Sequence, residues 1–172
     1  VQPNAQTPLE PAAYVESFVE IDGLRLHVQD YGTAGKPHML CVHGGGANTH
    51  WFDFIACGFN ADYHVRAVDL RGHGDSEWHD SNPPNYNYTR HAADIHELTE
   101  KLDLRDFVLI GHSMGGMVSI VYAATYPGRA RALIVDNDCY ENKLAGIGSR
   151  EGAMPIIQGN RCFKNEFAGI GS

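Results

Sequence analysis

The chain has 172 residues and a formal net charge of −8, and this length favours one domain whose core needs no disulfides. The negative charge argues against a nucleic-acid partner or an anionic membrane surface, because no basic stripe is available to neutralise phosphates. No apolar run is long enough to span a bilayer. The four cysteines are scattered, with no CxxC pair, which favours idle thiols in a reducing compartment and hence a cytoplasmic location.

The first part of the chain predicts an arm followed by a β-hairpin. Residues 1–14 contain three prolines and little periodicity, so we expect a loose N-terminal arm. Val15–Ile21 has the pattern of a strand, and Asp22-Gly23 is typical of a tight turn. In Leu24–Val28 apolar and polar residues alternate, which predicts a second, half-buried strand antiparallel to the first.

Strands and helices then alternate along the chain. Short apolar runs predict strands at Met39–Val42, His64–Leu70, Phe107–Ile110 and Ala132–Val135. Helical periodicity predicts helices that begin at Trp51–Ile55 and cover Thr89–Leu102 and Met114–Thr125. This order predicts an α/β fold, with a mainly parallel sheet, helices on both faces and the N-terminal antiparallel hairpin.

The pattern fades near the C-terminus. We expect an α/β core over residues 15–138 and an irregular tail over residues 139–172. Within the tail, the segment Asn142–Ser149 recurs almost unchanged as Asn165–Ser172. Two copies are too few to predict a solenoid, so a chance echo, a duplication and a scrambled tail all stay open.

A candidate nucleophile lies between the third parallel strand and the helix that follows it. The sequence there is Gly111-His112-Ser113-Met114-Gly115-Gly116. A serine in such a strand-to-helix turn is held in a strained backbone conformation, and glycines on either side avoid clashes in the sharp bend. The helix N-terminus favours negative charge, which an acyl-transfer intermediate develops. The alternative is a tight turn without a chemical role.

A second glycine-rich segment, His43-Gly44-Gly45-Gly46, follows an earlier strand. Glycines there let a backbone N–H point into a site without an intervening side chain. Together with the N–H of Met114 this would make an oxyanion hole with two donors. A flexible turn is the alternative interpretation.

A third motif lies between these two: Asp69-Leu70-Arg71-Gly72-His73-Gly74-Asp75-Ser76. The three motifs occur in the order that is typical of the α/β-hydrolase superfamily. Residues 15–138 resemble its serine esterase and lipase-like branch. A serine points away from the haloalkane dehalogenase and epoxide hydrolase branches, whose nucleophile is an aspartate. The resemblance implies that Ser113 attacks an acyl substrate and that the N–H groups of Gly45 and Met114 bind the oxyanion.

By the same resemblance, Gly44 and His112 belong to the oxyanion and substrate-binding region, and His43 supports the loop. Asp69, Arg71 and His73 are expected to be structural. No cofactor and no metal are expected. His91 and His96 on the second helix could suggest a metal site, but side chains five apart diverge, which predicts a solvated helix face.

The sequence departs from the family after Ser113, where an acid and then a histidine are expected. The last histidine is His112, and none occurs between Ser113 and Ser172. Asp136 and Asp138 are the candidate acids, although Asp136 could simply end a strand. His43 and His73 are the histidines whose loops could approach Ser113. We therefore expect the chain to be truncated before the family's lid, acid and histidine.

Two functions remain open at this stage. One is a serine hydrolase acting on a carboxylic ester or similar small-molecule acyl substrate. The other is a truncated or degenerate hydrolase scaffold that binds with little or no turnover. Because Ala132–Val135 would lie at an uncovered sheet edge, self-association through that edge is a further expectation.

Overall fold

The computed structural model describes residues 10–79, 85–136, 138–140, 147–148, 161–163 and 170–171, with side chains through Val135. The main strands are β1 (Val15–Ile21), β2 (Leu24–Asp30), β3 (His38–Val42), β4 (His64–Val68), β5 (Phe107–His112) and β6 (Ala130–Asp136). The helices are α1 (Asp53–Phe59), α2 (Tyr88–Lys101) and α3 (Met114–Thr125), and a short 3-10 helix (Thr49–Phe52) precedes α1.

Six strands form one sheet in the order β1-β2-β4-β3-β5-β6. The β1–β2 hairpin is antiparallel and its register runs from Val15 opposite Asp30 to Ile21 opposite Leu24. Asp22 and Gly23 both have positive φ, 50° and 74°, the geometry of the hairpin turn that matches strand twist. β4, β3, β5 and β6 are parallel. The predicted α/β architecture is confirmed.

Apolar side chains fill both faces of the sheet. Along β3, Leu40 and Val42 join a core with residues of α2 and α3, including Ile95 and Val118. Met39 and Cys41 point the other way, into a core with Ala56 of α1 and its neighbours. The alternation follows from the two-residue period of a strand, and it explains why the run Met39–Val42 is apolar throughout.

The region before α1 differs from the simple helix that the sequence predicts at Trp51. Asn48 accepts a hydrogen bond from the His50 N–H at 3.2 Å and so caps the 3-10 turn that precedes α1. Ala12, in the predicted arm, is buried and donates its N–H to the Asp53 carbonyl at 2.8 Å. The arm therefore docks on this segment from Ala12; residues 1–9 lie outside the described residues.

Beyond β6 the described residues form short strands: β7 (Asp138–Tyr140), β8 (Ile147–Gly148), β9 (Arg161–Phe163) and β10 (Ile170–Gly171). β7 pairs with β9 and β8 with β10, both in parallel. Ile147 lies opposite Ile170, so equivalent positions of the repeated segment face each other. The division into arm, core and tail stays a prediction. None of the helices in the described part of the chain combines the length and apolarity needed to cross a membrane.

Candidate active site

Ser113 lies between the end of β5 and the start of α3 and is exposed. Its backbone angles are φ 52° and ψ −118°, outside the regions that residues with a Cβ commonly occupy. The Ser113 carbonyl accepts hydrogen bonds from the N–H groups of Gly116 and Met117, at 2.9 and 3.2 Å, and these bonds close the first turn of α3. The predicted strained strand-to-helix turn is confirmed.

Two glycines allow this turn because other backbone segments press against it. A Cβ at Gly111 would lie 2.5 Å from the Gly115 carbonyl oxygen. A Cβ at Gly115 would lie 2.2 Å from the Val42 carbonyl oxygen. Because both distances are below any normal contact, β5, the start of α3 and the end of β3 can meet this closely only with glycine. Glycine is therefore required at positions 111 and 115 because a side chain there would clash with the backbone.

The glycine-rich loop after β3 packs against the same turn. A Cβ at Gly44 would lie 3.1 Å from the Ser113 Cβ, and one at Gly45 would lie 3.6 Å from the Met114 sulfur. The Ala47 N–H donates to the Gly44 carbonyl at 3.2 Å, which curls the loop. Gly45 is exposed, and Met114 begins a helix, where N–H groups have no intrahelical partner. The two predicted oxyanion donors therefore belong to neighbouring segments.

His43 is held by hydrogen bonds at both ring nitrogens. Its Nε2 accepts the Leu70 N–H at 3.0 Å, so Nδ1 carries the hydrogen and donates to the Gly44 carbonyl at 2.7 Å. Burial lowers the pKa of His43, which keeps the ring neutral. With its one acceptor nitrogen occupied, His43 cannot take a proton from Ser113. These contacts agree with the supporting role expected for it.

The other nearby histidines also lack a described hydrogen bond to Ser113. The Nδ1 atom of His73 lies 3.1 Å from the Arg71 carbonyl oxygen, and the ring centroids of His73 and His43 are 5.1 Å apart. His112 stacks on Trp51 with ring centroids 4.7 Å apart. Its Nδ1 is buried, has no hydrogen-bond partner among the described residues, and faces Gly44. The stack brings the exposed Trp51 next to the residue before Ser113, where it can form an apolar wall.

One of the two candidate acids, Asp136, lies at the end of the six-stranded sheet where Ser113 is found. Asp136 is the last residue of β6 and is in register with His112 of β5, so its backbone is at the same edge as Ser113. Asp138 begins β7. The side chains of both lie outside the described residues, and their catalytic role stays a prediction.

Asp69 connects the segments that surround the site. Buried after β4, it accepts the Thr49 N–H at 2.6 Å and the Asp75 N–H at 3.0 Å. Its second oxygen also lies 2.8 Å from His27 Nδ1. One carboxylate therefore joins the β1–β2 hairpin, the loop after β4 and the turn before α1. The structural role expected for Asp69 agrees with these contacts.

The helix face around His91 is buried, so the prediction of a solvated face is wrong there. Asp94 is fully buried and forms two hydrogen bonds with Arg71, at 2.6 and 2.7 Å. His91 is 3% exposed, and His96 stacks on Tyr126 at 3.8 Å. The helical pattern alone could not reveal this, because Arg71, which shares Asp94 with Arg90 of the same helix, comes from a loop far earlier in the chain.

Comparison with known proteins identifies relatives of this arrangement. A family model described as the alpha/beta hydrolase fold matches residues 37–145. Epoxide hydrolase 4 of Mus musculus is 35% identical over 130 residues, covering 74% of this chain and 36% of the relative. A 2-(acetamidomethylene)succinate hydrolase of Mesorhizobium japonicum is 31% identical, covering 70% of this chain and 42% of the relative.

Among solved structures, epoxide hydrolase A of Mycobacterium thermoresistibile superimposes with a TM-score of 0.68 at 29% identity, over 76% of this chain and 41% of the other. The chain thus spans about two fifths of the length of these relatives. Both kinds of relative named above are hydrolases, one of epoxides and one of 2-(acetamidomethylene)succinate.

Proposed function

The chain belongs to the alpha/beta hydrolase fold family, and from this we propose that it is a serine hydrolase whose nucleophile is Ser113. Its substrate would be a carboxylic ester or a similar small acyl compound. The family membership supports hydrolase chemistry in general. The serine, the acyl substrate and the oxyanion hole are the proposal.

The observation that carries the proposal is the conformation of Ser113. A positive φ of 52° on an exposed serine is costly, by about 1–3 kcal/mol for such backbone strain. Such strain persists only where the surroundings enforce it, and here Gly111 and Gly115 let the backbone close around it. The result presents a hydroxyl at the N-terminus of α3, beside the glycine-rich loop.

In the proposed reaction, the Ser113 oxygen attacks the acyl carbon and the carbonyl electrons move onto its oxygen. The N–H groups of Gly45 and Met114 would stabilise this oxyanion. Losing one such donor typically costs about 2.7–4 kcal/mol of transition-state stabilisation. Collapse of the intermediate would break the bond to the alcohol oxygen, which takes up the proton lost by Ser113. Water would then hydrolyse the acyl-enzyme to the carboxylic acid and free Ser113.

The choice of an acyl substrate over an epoxide rests on the nucleophile. Although epoxide hydrolase 4 is a relative, the family resemblance implies an aspartate nucleophile for the epoxide hydrolase branch, and this chain has Ser113 at that position. A serine alkoxide attacking an acyl carbon uses an oxyanion hole directly, because the negative charge develops on a carbonyl oxygen.

The binding scaffold is the second candidate function, because no base is hydrogen-bonded to Ser113 among the described residues. The proton of the Ser113 hydroxyl needs an acceptor, and no described histidine is hydrogen-bonded to it. His43 is already occupied at its acceptor nitrogen. Without a base, the same pocket would bind an acyl compound and turn it over poorly.

A fluorophosphonate probe separates the two functions, because it labels a serine only when that serine is activated. The hydrolase function predicts a single adduct, located on Ser113 by peptide mass spectrometry. Ser113→Ala should abolish it, and Ser17→Ala, at an exposed serine of β1, should leave it unchanged. A folded chain that takes no label would support the scaffold instead.

A further inference from the structure

A second group of side chains with ligand chemistry lies on the β1–β2 hairpin, at the edge of the sheet opposite β6. Glu16 of β1, His27 of β2 and Asp75 of the loop after β4 each offer one ligand atom, and these atoms lie within 4.8 Å of one another. Glu16 Oε1 is 3.5 Å from His27 Nε2. Three separate segments of the chain supply this group.

His27 is oriented in the way that a metal-binding imidazole requires. It is 1% exposed, and its Nδ1 lies 2.8 Å from Asp69 Oδ2. Because a carboxylate can only accept, Nδ1 carries the hydrogen, and Nε2 is the ring nitrogen that lies beside Glu16 and Asp75. That Nε2 is buried and has no hydrogen-bond partner among the described residues. A carboxylate behind a histidine is the usual outer partner of a metal-binding imidazole.

The charges around Nε2 also favour a cation. Two carboxylates lie beside Nε2, and Asp69 adds a third behind the ring. Arg25, which shares this face of β2, is already engaged by Glu77 at 2.8 Å. Nothing described in the cluster therefore balances the charge of Glu16 and Asp75.

We propose that Glu16, His27 and Asp75 bind a divalent transition-metal ion, with Zn²⁺ as the best match. One imidazole with two carboxylates suits zinc or manganese better than magnesium or calcium, which prefer oxygen ligands alone. Bond lengths near 2.0–2.2 Å require the ligand atoms to draw closer than they lie here. Glu16 has a side chain 54% exposed and Asp75 is exposed, so both can move inward while His27 stays fixed.

Such an ion would act as a structural clamp. It would join both strands of the hairpin to the loop after β4, whose Asp69 also holds the Thr49 N–H at 2.6 Å. The site is separate from Ser113 and takes no part in the proposed hydrolysis, so the inference stands whether or not the chain is an enzyme.

Calorimetric titration of the chelator-stripped 172-residue chain with ZnCl₂, and separately with MnCl₂, tests the site. One equivalent should bind, and Glu16→Gln and Asp75→Asn should each weaken the affinity at least about tenfold. Glu20→Gln, at an exposed carboxylate further along β1, should bind like the unmodified chain. The test uses the exposed ligands because replacing the buried His27 would disturb folding.

Two results would overturn the proposal. One is the absence of saturable binding of either ion. The other is binding that both Glu16→Gln and Asp75→Asn leave intact, which would place the ion on other histidines or cysteines.

Discussion

Gly44 lies in direct contact with Ser113: a methyl group at position 44 would be 3.1 Å from the Ser113 Cβ and 3.0 Å from His112 Nδ1. We expect Gly44→Ala to destabilise the fold by about 1–3 kcal/mol, the usual cost of overpacking. Gly45→Ala, whose methyl would meet only Met114 at 3.6 Å, should stay within about 0.5 kcal/mol. Urea denaturation of the two variants measures this, and equal losses would show that the loop does not pack on Ser113.

The strain at Ser113 predicts that glycine is more stable than alanine at this position. Relief of the positive φ stabilises the folded chain by about 1–3 kcal/mol. The extra conformational freedom of glycine in the unfolded chain lowers the unfolding free energy by about 0.5–1 kcal/mol. Ser113→Gly should therefore exceed Ser113→Ala in unfolding free energy by up to about 2.5 kcal/mol. Denaturant midpoints that rank the two variants in the opposite order would refute the strained turn.

Most of the fold could be predicted from sequence because it depends on local patterns. The alternation in Leu24–Val28 and the turn at Asp22-Gly23 define the hairpin, and the glycines around Ser113 define the strand-to-helix turn. The missed features depend on partners distant in sequence. In the sequence, Asp94 is part of a polar helix face, and only the structure shows its contact with Arg71. Likewise, His27 has the pattern of an ordinary strand residue, and only the structure shows that Asp69 orients its ring.

The role of His43 shows the same limit within the site. Its position beside the glycines suggests a residue close to Ser113, but the hydrogen bond from the Leu70 N–H is what removes it as a base. No motif encodes that bond, because it joins the ends of two neighbouring parallel strands.

The buried His91 should make stability depend on pH. Burial lowers its pKa to about 4, whereas an unfolded histidine titrates near 6.5. Between these values the unfolded chain binds a proton that the folded chain does not. The contribution of His91 to stability is therefore fully present above pH 6.5 and is lost as the pH falls towards 4. This loss amounts to about 2–3 kcal/mol.

His91→Phe should therefore flatten the stability profile between pH 6.5 and 4, as measured by urea unfolding at a series of pH values. His96→Phe is the matched control, because His96 is only partly buried and should retain most of the original slope. If His91→Phe keeps the full slope, the ring must be protonated in the folded chain.

The sheet edge at β6 predicts self-association. β6 is the last strand of the six-stranded sheet, and an uncovered apolar edge can pair with another chain. We expect concentration-dependent sedimentation of the purified 172-residue chain. A monodisperse monomer with a cooperative thermal transition would mean that the residues beyond β6 cover this edge.

The most direct test of the account is the rate of p-nitrophenyl ester hydrolysis by the purified chain and by Ser113→Ala. No histidine follows Ser113, and loss of the base from such a triad can cost around 10⁶-fold in turnover. We therefore predict slow hydrolysis by the unmodified chain, limited to the residual help of the oxyanion hole, and a similarly slow rate for Ser113→Ala, because that residual help does not depend on the serine. Fast hydrolysis that survives Ser113→Ala would contradict the assignment of the nucleophile, and fast hydrolysis that Ser113→Ala abolishes would show that a base activates Ser113.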